Sequence, residues 1–311
     1  MRCGFIGLGH IGKFLAGSLV RNGFEVTIFD LNAEAGKPLV AKGAKWATSI
    51  KELCDASDTV FTCLPSPRAI DAVVAGPGGV LESLAGRATP ATWVDMSTND
   101  QSETMRLGEI AKSKGVQVLE SPVTGGVHKA AHGDITVLVG GEDKVFQAHK
   151  PALAAMGNPV LYIGPLGSAA VIKVITNMLA FIHLVAAGEA LMLAKRAGLD
   201  LGVAFEAIKE SSGNSFVHET ETQLVLSGSY NIGFTMDLAL KDIGFATEMG
   251  RTFGVPLELA AITEQAFVRG KAQYGGDAWS PKVIKLLEDA VGVELRAPGF
   301  PDVLTDTEGP K

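Results

Sequence analysis

The chain has 311 residues, enough for two domains, and its 37 glycines and 20% charged residues suit an α/β protein rather than a disordered or fibrous one. The formal net charge of −7, without a Lys/Arg-rich run with interleaved aromatic residues, argues against nucleic acid as a partner. Three cysteines, odd in number and without CxxC spacing, are typical of buried thiols in a reducing compartment, so we expect a cytoplasmic protein.

The first element is a strand followed by a glycine-rich turn. Residues 2–6 predict a buried strand, and a G-x-G-x-x-G pattern follows at once and begins a helix that runs to Asn22. In this context the first glycine permits the tight turn, the second lets the backbone approach a pyrophosphate, and the third lets helix and strand pack closely. The pattern predicts a dinucleotide site that includes Gly7, Leu8, Gly9, His10, Ile11 and Gly12.

The second strand, FEVTIFD, ends in Asp30, where the fingerprint expects a carboxylate that binds ribose hydroxyls. A carboxylate would repel a 2′-phosphate, and the next residues, Leu31 and Asn32, supply no arginine to neutralise one. We therefore expect NAD rather than NADP, with Asp30 and Leu31 at the cofactor. A turn or cap role for Asp30 before Asn32 is the alternative.

The alternation of helices and strands continues after a capping box from Ser49 to Glu52. The strands TVFTCL and TWVDM end at Leu64-Pro65 and Ser97-Thr98. Ligands of doubly wound sheets bind beyond the carboxyl ends of the strands. We therefore predict a Rossmann-type doubly wound sheet over residues 1–165, with cofactor contacts from Leu64, Pro65, Ser97 and Thr98.

The segment VQVLESPVTGG leads to a turn at Thr124, Gly125 and Gly126, before two strands that flank a helix from about Glu142 to Met156. Adjacent glycines expose consecutive N–H groups, and a hydroxyl beside them completes a small nest for an anion. A carboxylate would fit this nest. A strained turn without a ligand is the alternative.

The second half of the chain predicts an all-α domain over residues 166–296 and a mobile tail over 297–311, which is rich in proline, glycine and acidic residues. Helical periodicity covers 168–197, 200–211, 235–254, 256–273 and 280–290.

Two polar residues interrupt the first of these helices. Lys173 and Asn177 are four residues apart, so both side chains lie on one face of an otherwise apolar helix. Because a buried ammonium or amide needs a polar partner, the pair predicts a proton donor that faces a ligand. A Lys173 whose head reaches solvent, with an internally bonded Asn177, is the alternative. Together with His183 and Glu189, these residues argue against a membrane span.

Two further clusters have ordinary explanations. Asp237 and Lys241, four apart, favour a surface ion pair on spacing alone. His128 and His132 are also four apart, but no carboxylate stands at the spacing of a zinc protease, so we expect no metal.

These segments together resemble the β-hydroxyacid dehydrogenase family, which includes 3-hydroxyisobutyrate dehydrogenase and tartronate semialdehyde reductase, over roughly residues 3–295. GFIGLGHIG resembles its cofactor loop, and SPVTGG is similar to its substrate-binding segment, with Thr124 where a serine is usual. GSAAVIKVITN resembles its catalytic stretch, with Ala169 in place of the second glycine and Thr176 in place of the first asparagine. Phe234 to Asp242 looks like its F-x-x-x-L-x-x-K-D element.

The resemblance implies an NAD-dependent oxidoreductase that transfers a hydride between a small 3-hydroxy acid and the nicotinamide. Lys173 would be the general acid/base, and Asn177 would be a second catalytic residue that orients Lys173 or the substrate. Lys241 would lie near the nicotinamide. The implied substrate-binding residues are Ser121, Thr124, Gly125, Gly126, Lys173, Asn177 and Phe234.

Several alternatives stay open. An imine reductase on the same scaffold is disfavoured by Lys173, because related imine reductases have another residue there, and a non-catalytic NAD-binding sensor is the other candidate. The substrate is open among 3-hydroxyisobutyrate, serine, glycerate and sulfonate analogues, with His128, Lys129, Ser212, Asn214 and His218 as candidates for specificity. We expect a homodimer or homotetramer and no membrane partner, because LAFIHLVAAGEALMLA is apolar along nearly every face.

Overall fold

The computed structural model describes residues 1–305, which divide into two compact units, residues 1–173 and 174–305. The predicted boundary lies eight residues earlier, at 165. The observed division falls inside a long helix, because the first turn of that helix is hydrogen-bonded to a strand of the first unit. The predicted domain bounds stay predictions.

The first unit contains a nine-stranded sheet within the described residues. The strands are β1 (Arg2–Ile6), β2 (Glu25–Phe29), β3 (Lys45–Trp46), β4 (Thr59–Thr62), β5 (Thr92–Asp95), β6 (Gln117–Glu120), β7 (Val123–Thr124), β8 (Thr136–Gly141) and β9 (Val160–Gly164). Their order is β3-β2-β1-β4-β5-β6-β8-β7, with β9 paired to β8. Strands β1 to β6 are parallel, and β8 runs antiparallel to β6 and β7.

Helices cover both faces of this sheet. They are α1 (Gly12–Arg21), α2 (Lys37–Val40), α3 (Ile50–Asp55), α4 (Pro67–Val74), α5 (Val80–Leu84), α6 (Gln101–Ser113), α7 (Gly126–His132) and α8 (Asp143–Met156). Neighbouring residues of β1, Phe5 and Ile6, belong to two different apolar cores, one on each face. Both faces are therefore buried, which explains why the strands are continuous apolar runs. The predicted Rossmann-type doubly wound sheet is confirmed.

The second unit is all-helical, as predicted. It contains most of α9 (Ser168–Arg196), followed by α10 (Leu201–Lys209), α11 (Phe216–Glu219), α12 (Glu221–Ser227), α13 (Met236–Phe253), α14 (Glu258–Tyr274) and α15 (Lys285–Val291). Helices α11 and α12 were not predicted, because four and seven residues are too few to establish a helical period. Among residues 1–305, α9 alone is long and apolar enough to cross a membrane, a measure that core helices of soluble proteins also meet.

Part of the predicted tail packs on the second unit. The Ala297 N–H donates to the Leu226 carbonyl at 3.0 Å, and the Phe300 ring meets the Phe205 ring edge-on at 4.9 Å between centroids. The predicted mobility of this tail stays a prediction, and its last six residues, 306–311, lie outside the described part of the chain.

Candidate active site

The three glycines of the first turn have different neighbours. Gly7 has a positive φ of 96°, and a Cβ there would lie 2.3 Å from the Cys63 carbonyl oxygen. A Cβ on Gly12 would lie 2.0 Å from the Gly7 carbonyl oxygen. A Cβ on Gly9 would meet no atom within 4 Å. The turn is therefore closed toward the protein and open at Gly9, where a pyrophosphate could approach the backbone at the start of α1.

Asp30 lies directly beside this turn. Its Oδ2 accepts a hydrogen bond from the Leu8 N–H at 2.7 Å, and its Oδ1 accepts one from the Asn32 N–H at 2.8 Å. Asp30 thus has the predicted alternative role of a turn residue as well, and each oxygen keeps a lone pair for a ligand hydroxyl. The Leu31 side chain is 97% exposed, an apolar surface beside the carboxylate. These positions fit the ribose and base of a dinucleotide.

The predicted cofactor residues after β4 and β5 lie at the same sheet edge as the glycine turn, because β1, β4 and β5 are parallel neighbours. The Leu64 N–H donates to the Ser97 Oγ at 2.9 Å, and the Ser97 hydroxyl donates to Asp95 Oδ1 at 2.6 Å. Through these hydrogen bonds the buried Asp95 connects the loop after β5 to the loop after β4. Pro65 is exposed and Thr98 is half-buried, so both are accessible to a ligand.

The proposed anion nest lies in a turn that needs glycine. Gly125 and Gly126 have φ of 128° and 89°, which residues with side chains rarely adopt, and both are half-buried together with Thr124. Ser121, in contrast, is fully buried, and its Oγ has no hydrogen-bond partner among the described residues. The structure thus presents Thr124, but not Ser121, to solvent.

Lys173 lies in the second turn of α9 and is only 7% exposed. The helix begins on a buried carboxylate, since Glu120 accepts hydrogen bonds from the Ala169 N–H at 2.9 Å and the Ala170 N–H at 2.8 Å. Burial raises the pKa of Glu120 to about 7, against the lowering effect of hydrogen bonds from backbone N–H groups. Glu120 was not among the predicted site residues.

In the second unit a buried carboxylate joins two predicted site residues. Asp242, 1% exposed, accepts a hydrogen bond from Asn177 Nδ2 at 2.6 Å and forms an ion pair with Lys241 Nζ at 2.6 Å. Asp237 forms its ion pair with Lys271 instead, at 2.6 Å. The surface pair that spacing favoured for Asp237 and Lys241 is therefore not the arrangement seen. Asp242 was not among the predicted site residues, although it ends the K-D element noted in the sequence.

Two other predicted residues of the second unit, Phe234 and His218, pack against or within its apolar core, whereas Ser212 is exposed and Asn214 is half-buried. The Phe234 ring stacks on Phe181 with 6.2 Å between centroids, and Phe234 is half-buried. His218 is buried, stacks on Phe205 and is hydrogen-bonded to the Phe205 carbonyl at 2.9 Å. Because it faces the core, His218 is a poorer candidate for specificity than the sequence indicated. Among residues 1–305 no cluster of His, Cys, Asp or Glu could hold a metal ion.

Comparisons with known proteins cover both units. Residues 2–164 match the family model of the NAD-binding domain of 6-phosphogluconate dehydrogenase, and residues 167–287 match that described as NAD-binding of NADP-dependent 3-hydroxyisobutyrate dehydrogenase. The chain is 35% identical over 297 residues to 2-(hydroxymethyl)glutarate dehydrogenase of Eubacterium barkeri, covering 95% of this chain and 97% of the relative. It is 32% identical over 270 residues to 3-hydroxyisobutyrate dehydrogenase of Pseudomonas aeruginosa, covering 85% and 90%.

The fold comparison agrees. The crystal structure of 3-hydroxyisobutyrate dehydrogenase from Salmonella typhimurium superposes with a TM-score of 0.83 at 29% identity, covering 92% of this chain and 99% of that one. The open glycine turn and the adjacent Asp30 carboxylate fit the NAD-type cofactor that both family models imply. The chain belongs to the β-hydroxyacid dehydrogenase family, NAD-type oxidoreductases, as its motifs predict.

Proposed function

We propose that the protein is an NAD-dependent dehydrogenase of small 3-hydroxy acids, with Lys173 as the general acid/base. The observation that supports this most is the burial of Lys173 in the same compact unit as the open glycine turn and the anion nest. Buried titratable side chains are concentrated at functional sites, so a buried lysine beside a predicted ligand site favours a chemical role.

The proposed mechanism separates a hydride path from a proton path. NAD, which the glycine turn and Asp30 would hold, would supply hydride transfer to and from the carbinol carbon. Lys173 Nζ takes the hydroxyl proton during oxidation and returns it during reduction. Asn177, whose amide is held by Asp242, orients the reacting groups. The Thr124 hydroxyl and the N–H groups of Gly125 and Gly126 bind the substrate carboxylate, which positions the carbinol for reaction.

The names of two relatives narrow the proposed substrate class. 2-(Hydroxymethyl)glutarate and 3-hydroxyisobutyrate both have a CH2OH group on the carbon next to a carboxylate. They differ in the second substituent on that carbon, a carboxyethyl group or a methyl group. We propose a 3-hydroxypropanoate substituted at C2 as the substrate, and serine, glycerate and sulfonate analogues belong in the same screen.

The role of Lys173 is tested by Lys173→Ala, with Lys195→Ala as the matched control, because Lys195 is exposed on the same helix. General acid/base catalysis is commonly worth about 10²- to 10⁴-fold, so kcat should fall by that factor in Lys173→Ala only. NAD affinity, measured by fluorescence quenching, should change little in both. Turnover retained in Lys173→Ala would remove Lys173 from the chemistry, whereas NAD binding without turnover of any 3-hydroxy acid by the wild type would favour the sensor alternative.

The role of the nest is tested by comparing 3-hydroxyisobutyrate with 2-methylpropan-1-ol, which lacks the carboxylate. N–H donors left without a partner cost about 1 to 3 kcal/mol each. We therefore expect kcat/KM for the alcohol to be lower by one or more factors of ten. Equal efficiency would show that Thr124, Gly125 and Gly126 form only a turn.

We further propose a cytoplasmic homodimer or homotetramer without a membrane partner. Only a third of the most apolar 18-residue window of α9 is buried within the single chain, and a second copy would cover the remainder.

A further inference from the structure

Glu120 is a buried carboxylate that accepts two backbone N–H bonds at the start of α9. It is the last residue of β6 and is only 3% exposed. A Cβ on Gly140 of the neighbouring strand β8 would lie 2.2 Å from Glu120 Oε1. The carboxylate therefore lies between the start of α9 and the backbone of β8, where only a glycine leaves room for it.

The two hydrogen bonds satisfy N–H groups that a helix cannot satisfy within itself. The first N–H groups of an α-helix have no partner in the helix, and the helix dipole favours a negative charge there. Both oxygens are used, Oε1 for Ala169 and Oε2 for Ala170, so the pair of bonds fixes the direction of the first turn as well as its distance.

Glu120 also joins the two parts of the proposed site. It immediately precedes the SPVTGG segment that includes the nest at Thr124, Gly125 and Gly126. Lys173 follows Ala170 by three residues, so it lies about one helical turn from the fixed N–H groups. All of these residues belong to the first compact unit.

We propose that Glu120 is a positioning residue that holds the Lys173 turn of α9 at a set distance from the substrate-carboxylate nest. It acts through the Ala169 and Ala170 N–H groups and is not itself a catalytic residue. The inference rests on the proposed function, because it assumes that Lys173 transfers the proton and that the nest binds the substrate.

The test is Glu120→Gln, which keeps the size of the side chain but replaces one acceptor oxygen with an NH2 that faces a backbone N–H. A misplacement of about 1 Å can cost on the order of a hundredfold in rate, so we expect kcat to fall about tenfold to a hundredfold. NAD affinity should stay within about threefold, since the glycine turn is untouched. Asp58→Asn is the matched control, because the Asp58 carboxylate is bonded to Arg2 and immediately precedes β4, at the opposite end of the parallel strands from Glu120.

A second readout does not depend on turnover. In Glu120→Gln, amide hydrogen exchange should become faster in peptides that cover residues 168–176 and stay unchanged in peptides that cover 184–196.

The pH profile of kcat is the third readout. Burial, with a smaller contribution from nearby Asp95, raises the pKa of Glu120 to about 7. Wild-type kcat should therefore rise between about pH 6 and 8, as Glu120 loses its proton and both of its oxygens become free to accept hydrogen bonds from α9. This added rise should be absent in the Gln variant.

If Glu120→Gln does not fold, Glu120→Asp is measured in the same way, because it keeps both acceptor oxygens on a shorter side chain. Wild-type kcat and unchanged exchange in either folded variant would overturn the inference while leaving the proposed function intact. A fall in kcat that is fully explained by a smaller fraction of folded protein would also overturn the inference. Turnover retained in Lys173→Ala would instead contradict the proposed role of Lys173. Glu120 would then have no catalytic group to position.

Discussion

Asp30 shows how one side chain can serve both the backbone and a ligand. Its two oxygens hold the Leu8 and Asn32 N–H groups, so its charge is fixed beside the glycine turn. A fixed carboxylate attracts ribose hydroxyls and repels a 2′-phosphate. This geometry supports the proposal that Asp30 selects NAD over NADP.

We predict that the protein prefers NAD, and that Leu31→Arg raises kcat/KM for NADP by roughly tenfold, because an arginine can pair with a 2′-phosphate. Leu31 is exposed, so the substitution should not disturb packing. Initial rates at matched concentrations of each cofactor measure both effects. Equal or better use of NADP by the wild type would mean that Asp30 does not face the ribose.

The stability of the protein should depend on the ionisation of Glu120. Burial raises its pKa in the folded state from 4.5 to about 7. Between these values the folded protein keeps a proton that the unfolded chain has lost, so stability falls as pH rises through this window. The limiting slope is roughly 1.4 kcal/mol per pH unit. Urea unfolding at several pH values should show this loss in the wild type relative to Glu120→Gln, and a pH-independent difference would contradict it.

At the scale of elements, the β1–α1 turn separates the requirements of folding from those of binding. Gly12 is in contact with the backbone of Gly7, whereas Gly9 faces open space. The two glycines have equal standing in the sequence motif but different neighbours in the structure.

We predict that Gly12→Ala destabilises the protein by about 1 to 3 kcal/mol, because its Cβ would overlap a carbonyl oxygen. Gly9→Ala should leave the free energy of unfolding nearly unchanged and weaken NAD binding instead. Urea unfolding and NAD titration of the two variants measure the contrast, and each variant serves as the control for the other. Equal NAD affinity in Gly9→Ala and the wild type would show that the pyrophosphate does not bind at this turn.

At the scale of the whole molecule, large apolar side chains are exposed on the helical unit. Leu259 and Ile262 of α14 are each 66% exposed, and Leu193 of α9 is 73% exposed. Leu259 and Ile262 are three residues apart and share one face of α14, and an exposed apolar face of this kind suits a surface that another chain covers.

We predict an oligomer at micromolar concentration, and its dissociation by the double substitution Leu259→Glu and Ile262→Glu, because two buried charges of the same sign without partners are costly at an interface. Sedimentation velocity measures the mass of each form. Val40→Lys, at an exposed apolar residue of the first unit, is the control and should not change the mass. A wild-type monomer would contradict the prediction.

Local requirements made part of this protein predictable. The need for glycine at Gly7, the place of Asp30 after the second strand and the period of the long helices depend on residues close together in the chain. For that reason the Rossmann-type sheet, the helical second half and the NAD-type cofactor were determined by the sequence alone. The short helices α11 and α12 were not, because they contain too few residues to show a period.

Only the tertiary structure decided which polar groups meet. Glu120 binds the N–H groups of residues 49 and 50 positions away, and Asp242 binds Asn177 across 65 positions. Spacing favoured a pair between Asp237 and Lys241, yet packing of α13 against α14 gives Asp237 a different partner, Lys271. The physical reason is that such bonds depend on which strands and helices pack together, and one residue's neighbours in sequence do not contain that information.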